Sequence, residues 1–179
     1  MIFGVLSVLL ARANKVSLYP TGIISTLIYI YIFRQAGLYA DALLNLYYLV
    51  MSVYGWLLWT RKNGKEVMIS ASGPKDWTIA GLIAAGGWVC LYFVLRHYTD
   101  SNVPAWDAFI AATAWSGMWL LTKHKIENWL MLNISNLAAI PLYVYKQLPL
   151  TALLTVFLFI VAIFGYFEWR KTYRLRAAG

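Results

Sequence analysis

Residues 15–59 and 125–169 align with one another at a constant offset of 110, without a gap. Eleven of the forty-five positions are identical: Lys15, Ile24, Ser25, Leu27, Ile30, Leu38, Ala42, Leu43, Leu44, Gly55 and Trp59 meet Lys125, Ile134, Ser135, Leu137, Ile140, Leu148, Ala152, Leu153, Leu154, Gly165 and Trp169. Tyr54 meets Phe164 and Trp56 meets Tyr166. Leucines pair by accident in apolar chains, so the matched glycines and tryptophans carry the weight. A repeat at fixed offset constrains the fold first, because both copies must build the same local structure.

The copies lie in a chain that water cannot solvate. Of 179 residues, 61% are hydrophobic and 12% charged, about half the charged share of a soluble domain. Apolar runs near the ~20 residues that cross a ~30 Å hydrocarbon layer predict an all-α, polytopic membrane protein. The expected spans are 2–11, 16–33, 38–60, 77–95, 104–122, 126–145 and 148–169. The first is short, and its repeat partner starts near Pro104, seven positions upstream of Met1 at the same offset; a stunted helix or a missing N-terminal stretch is expected there. Arg61 to Asp76 reads as the longest loop, polar and glycine-containing. No cleavable signal pattern is visible. Cys90 lies in an apolar run, and no metal-ligand spacing is present.

Charge placement sets the topology. Twelve of the fifteen Lys and Arg residues flank one set of span ends; Arg34, Arg96 and Lys146 flank the other. The positive-inside bias puts the twelve in the cytoplasm, the C-terminus inside and the N-terminus outside. A net charge of +8 spread over span ends is an orientation signal; no nucleic-acid partner is expected. Three spans per copy, with matching charge, require the copies to run parallel, so the fourth span returns the chain. The plan is seven helices as 3+1+3: 1–60 the first repeat, 61–103 the cytoplasmic loop with linker helix and outer loop, 104–170 the second repeat, and 171–179 a basic cytoplasmic tail. Gly81, Gly86 and Gly87 in the linker helix permit close approach. Parallel-repeat carriers place substrate near the midplane, between repeats.

Asp41, Asn45, Tyr48, Ser52, Trp56 and Trp59 form one stripe of the third span. In the sixth, Trp129, Asn133, Asn136 and Tyr143 share a face. A buried amide without a partner costs a few kcal/mol, so each Asn either ties helices together or binds a polar permeant. Tyr48 and Trp56 lie deeper and suit stacking on a flat ring, or core packing. Trp59 and Trp169, beside basic residues, suit an interface or a gate. Thr113 and Ser116 read equally as capping their own backbone and as lining a path. Pro141 should break or kink the sixth span.

No Asp, Glu, Lys or Arg lies deep in a span, and both His are in loops, so no proton relay can be named. No acid–base pair, nucleophile with its base or metal cluster converges, and no phosphate-binding glycine loop is present. Neither an enzyme nor a cofactor is called for. Passive translocation of a small aromatic solute with hydroxyl or amide groups fits, as does a non-transporting membrane scaffold. The carrier needs a continuous polar and aromatic path linking spans three and six. A homo-oligomer is compatible with the sequence and not required by it.

The runs YPTGIISTLIYIYIF, NLYYLVMSVYGWLLW, ENWLMLNISNLAAIPLYVYKQLPLTALL and GYFEW resemble the PnuC family of vitamin transporters over nearly the whole chain. The resemblance implies a fold similar to the SWEET sugar carriers and uptake of nicotinamide riboside across the cell inner (plasma) membrane by facilitated diffusion, with a cytoplasmic kinase trapping the permeant. Relatives carry thiamine or riboflavin, and small chains of this type include the thiamine-carrying PnuT subgroup. By position, Asn45, Tyr48, Asn133 and Asn136 would contact the permeant, and Trp56 and Trp129 would belong to its aromatic lining. Asn45 stands where many members have Gln, Leu132 or a neighbour where they have Trp, and Thr155 or Val156 where they often have Tyr. These departures bear on which vitamin is carried.

Overall fold

The computed structural model describes residues 2–35, 39–60 and 68–177; within these, the side chains of 2–4, 33, 39–44 and 177 lie outside the description. Among the described residues the chain forms seven helices: α1 (Ile2–Arg12), α2 (Leu18–Gln35), α3 (Tyr39–Thr60), α4 (Pro74–Tyr98), α5 (Pro104–Thr122), α6 (Asn128–Tyr145) and α7 (Pro149–Ala177). α4 and α7 are each long and apolar enough to cross a bilayer. Large apolar side chains stand outward, among them Leu82, Leu150, Leu153 and Phe167. Water would penalise such a surface, and lipid does not.

The chain divides into two units, 1–68 and 69–179. In the first, α2 packs on α1 and α3; in the second, α5 packs on α4 and α6, and α6 on α7. The repeat is visible in each unit down to single hydrogen bonds. After α1, the N–H groups of Ala13, Asn14 and Lys15 donate to the carbonyls of Leu9, Ala11 and Leu10; after α5, those of Lys123, His124 and Lys125 donate to Trp119, Leu121 and Leu120. Every pair differs by 110. Asn14 and His124 both take the left-handed backbone, each with φ of 53°, a region that Asn and His visit more readily than most residues.

The matched glycines and tryptophans explain each other. A Cβ on Gly55 would stand 2.3 Å from the Tyr19 ring, and one on Gly165 would stand 2.8 Å from the Trp129 ring. Tyr19 in turn meets Trp59 edge-on with centroids 5.0 Å apart, and Trp129 meets Trp169 edge-on at 5.7 Å. Tyr19 and Trp129 are themselves 110 apart. Each copy thus seats one wholly buried aromatic residue in a notch that only glycine leaves, closed by a tryptophan one turn further on. Van der Waals fit of this kind is a main cohesive term for helices in lipid.

Polar pins hold the second unit. Trp88 Nε1 donates to the Ala105 carbonyl, and Trp106 Nε1 to that of Ala138, both at 2.9 Å. Ser116 donates to the Ala80 carbonyl of α4 and Ser135 to that of Ile110 of α5. Thr113 donates to Phe109 within its own helix. The hydroxyls of Thr113 and Ser116 are therefore committed to backbone, in preference to a path.

Three expectations change. α6 continues through Pro141 to Tyr145, so the proline does not break the span; losing one N–H costs a single hydrogen bond, and flanking packing holds the helix. The basic tail is helical as far as Ala177, because Lys and Arg are good helix formers and favour a helix C-terminus; Arg170 lies over the Tyr166 ring one turn back, 5.9 Å from its centroid. Residues 61–67 of the expected loop lie outside the description, as does the side chain of Asp41, but the end of that loop is ordered structure. Ser70 donates to the His124 carbonyl and accepts from Ile126, both at 3.0 Å, making a parallel bridge with Lys125, and Ile69 is buried. Glu127 accepts from the amide and hydroxyl of Ser72.

Asp76 belongs to the same clasp. The Gly73 amide donates to its carboxylate and Lys125 Nζ lies 3.1 Å away. The Gly73 hydrogen bond first, then Lys125, hold the Asp76 carboxyl below its usual range, against the opposing effect of desolvation. The folded pKa being the lower one, the stabilisation is complete above the unfolded value of 3.8 and is lost as pH falls through the folded one. Hydrogen-exchange protection factors of Ser70 and Ile126 should be flat from about pH 8 to about pH 5 and fall below about pH 4. Asp76→Asn should lower them throughout the flat range. Protection lost already near neutrality would assign the clasp to another group.

Candidate functional site

The residues singled out from sequence fall into two sets, one per unit. On α6, Asn133, Asn136 and Tyr143 are half-buried and follow one stripe of the helix. Asn128, Ser135, Ala139 and Leu142 on an adjoining face are buried, as is Trp129 on the stripe itself. Among the described residues, the Asn133 side-chain carbonyl oxygen is shut off from solvent with no hydrogen-bond partner. Leu132 beside it packs against Gly117 of α5, where a Cβ would meet it at 3.0 Å. An amide acceptor in that state costs about 1–3 kcal/mol. A partner from outside the chain is one way to satisfy such a group.

On α3, Asn45 and Tyr48 are half-buried, Ser52 is buried and Trp56 is 41% exposed. Ser52 lies against Gly22 of α2, its Oγ 3.5 Å from where a glycine Cβ would stand. Tyr47 and Tyr48 meet edge-on. The four follow the stripe that their spacing predicts, running from an amide and a phenol to a hydroxyl and an indole.

The tryptophans divide. Trp56 offers ring surface. Trp129 offers none, being wholly buried between Gly165 and Trp169, and in this structure it serves packing. Trp59 and Trp169 are buried too, 5% and 1% exposed. His124 escapes a reading from sequence. It sits in a charged turn, yet it is 1% exposed and stacks on Trp169 with centroids 5.8 Å apart and planes at 18°. Its counterpart by the repeat, Asn14, was the available clue. Thr155 is buried, its hydroxyl donating to Thr151 of its own helix.

Arranged this way, the described residues present amides, a phenol and an open indole on the polar stripes of two helices, with no charged group among them.

Comparison with known proteins gives the family. The family described as nicotinamide mononucleotide transporter matches residues 1–171. The nicotinamide riboside transporter PnuC of Escherichia coli is 25% identical over 204 residues, covering 99% of this chain and 85% of that protein. PnuC of Neisseria mucosa is 24% identical over 183 residues, covering 94% and 69%. The crystal structure of the vitamin B3 transporter PnuC superposes with a TM-score of 0.75 at 24% identity, over 97% of this chain and 79% of that one. The expected all-helical, multi-pass fold is the fold of that protein. The match over residues 1–171 places this chain in the nicotinamide mononucleotide transporter family, the membrane transporters to which PnuC belongs.

Proposed function

We propose that this protein carries nicotinamide riboside into the cell by facilitated diffusion, and that a cytoplasmic kinase traps the permeant by phosphorylation. The observation that carries the site is the Asn133 carbonyl oxygen, buried and unpartnered on a helix face shared with Asn136 and Tyr143. The permeant's carboxamide N–H would complete it, and Asn136 would bond to its ribose hydroxyls, with Trp129 holding α6 on α7. In the first unit, Asn45, Tyr48, Ser52 and Trp56 of α3 are proposed permeant contacts, the indole by stacking. Trp59 and Trp169 would act as gate supports. The names of the relatives support the choice of vitamin, and the twelve-to-three charge asymmetry supports a cytoplasmic C-terminus.

Thiamine is the competing cargo. It is also a flat cationic ring system with a hydroxyl, and Asn45, Leu132 and Thr155 are the positions that depart from the pattern of nicotinamide riboside carriers. Proteoliposomes preloaded with unlabelled nicotinamide riboside should accumulate the labelled compound by counterflow. Excess nicotinamide riboside should compete; thiamine and riboflavin should not. Competition by thiamine alone would transfer the assignment to it.

With no charged residue placed deep in a span, uptake should not draw on the proton gradient. In proteoliposomes clamped at zero membrane potential, so that the permeant's own positive charge does not report, an imposed pH gradient should leave initial uptake within about twofold of control. A larger response to the pH gradient would establish proton coupling.

A further inference from the structure

The second unit carries a recess that the translocation reading does not use. Lys146, in the turn after α6, places Nζ 2.7 Å from both carboxylate oxygens of Asp107 at the start of α5, and Ser101 donates to the same carboxylate. Beside this cancelled pair opens a cavity of about 620 Å³ lined by Asp100, Ser101, Asn102, Tyr145 and Gln147 together with Lys146. Asp100 is exposed and, among the described residues, forms no ion pair. Arg96, one turn earlier in the chain, donates to the neutral Tyr92 hydroxyl and lies 5.8 Å from its ring centroid. With Lys146 matched by Asp107, Asp100 is the lining carboxylate without a paired cation among the described residues.

The remaining lining is equally specific in chemistry. Tyr145 is 65% exposed and so offers ring surface. Gln147 holds a φ of 56°, a conformation that glycine adopts without strain, and its amide joins that of Asn102 in the lining. A carboxylate, an aromatic face and two amides in one concavity match a flat organic cation that carries hydroxyl groups: the charge meets Asp100, the ring lies over Tyr145, and the amides take the hydroxyls.

We propose that this recess is a capture site for cationic aromatic solutes, at which the permeant first binds before translocation. The idea rests on the reading above only in naming the permeant, whose pyridinium ring is such a cation. The same chemistry would accept the thiazolium ring of thiamine.

The test uses the full chain in lipid nanodiscs with Asn133→Leu and Asn136→Leu, so that the inner amides cannot report. The probes are 1-methylnicotinamide, a cation, and nicotinamide, its neutral analogue. Calorimetry should detect saturable binding of the cation, weakened about fivefold or more by Asp100→Asn and by Tyr145→Leu, and weakened by salt; nicotinamide should bind far more weakly. Equal affinity of the two probes, or of Asp100 and Asp100→Asn proteins for the cation, would overturn the site and leave Tyr145 as a membrane-interface residue. In otherwise native protein, Asp100→Asn should raise the KM of nicotinamide riboside uptake more than it lowers the maximal rate; an unchanged KM would overturn the capture role. Absence of any nicotinamide riboside uptake alongside intact cation binding would instead remove the permeant assignment and leave the recess standing.

Discussion

Asn133→Leu should cut vitamin uptake about tenfold while leaving the protein inserted and somewhat harder to unfold. The two effects share one cause. The Asn133 carbonyl oxygen is buried without a hydrogen bond, a state that costs about 1–3 kcal/mol. Leucine has the same branched skeleton and no unpaired acceptor, so thermal unfolding in detergent should move up by the equivalent of about 1 kcal/mol. Uptake should fall about tenfold, because one hydrogen bond of roughly 1.5 kcal/mol is lost, at tenfold per 1.4 kcal/mol. Asn136→Leu should behave alike in uptake. If the amides were interhelical ties instead, stability and transport would fall together.

The second large effect concerns the notches. Gly165→Ala would place a methyl 2.8 Å from the Trp129 ring, and Gly55→Ala would place one 2.3 Å from that of Tyr19. Both rings are wholly buried and closed in by Trp169 and Trp59, so neither swings aside without carrying its neighbour. Overpacking of this kind costs about 1–3 kcal/mol, and the tighter Gly55 site should stand at the upper end. Making room should restore the loss: Trp129→Leu in the Gly165→Ala background, and Tyr19→Leu in the Gly55→Ala background, should each show a coupling above about 1 kcal/mol in a double-mutant cycle. Trp129→Leu should not rescue Gly55→Ala. Additive losses would mean that the glycines serve some purpose other than seating these rings.

The sequence made the helices legible because lipid leaves little choice: a backbone without water must pair with itself, and charges retreat to span ends. Gly55, Gly165, Trp59 and Trp169 were legible through the repeat, which picked them out as pairs before their contact was known. Thr113 and Ser116 were not, since a hydroxyl in a helix bonds a carbonyl as readily as a solute. The clasp of residues 69–76 was hidden for a different reason. Its core is two backbone hydrogen bonds at Ser70, which leave no mark on side-chain choice; buried Ile69 in a polar stretch was the only trace. His124 was masked by its charged neighbours Lys123 and Lys125. The end of α7 was missed because hydropathy reports where lipid stops, not where the helix does.

Nicotinamide riboside, thiamine and riboflavin titrated against the purified protein in a thermal-unfolding assay test the central claim most directly. Nicotinamide riboside at about a hundred times its dissociation constant should stabilise the native chain by about 2.7 kcal/mol and should stabilise the Asn133→Leu, Asn136→Leu double variant, which keeps only the weaker recess, by no more than about 1 kcal/mol. Equal stabilisation of both proteins, or stabilisation of neither, would contradict the assignment of these two amides to the vitamin.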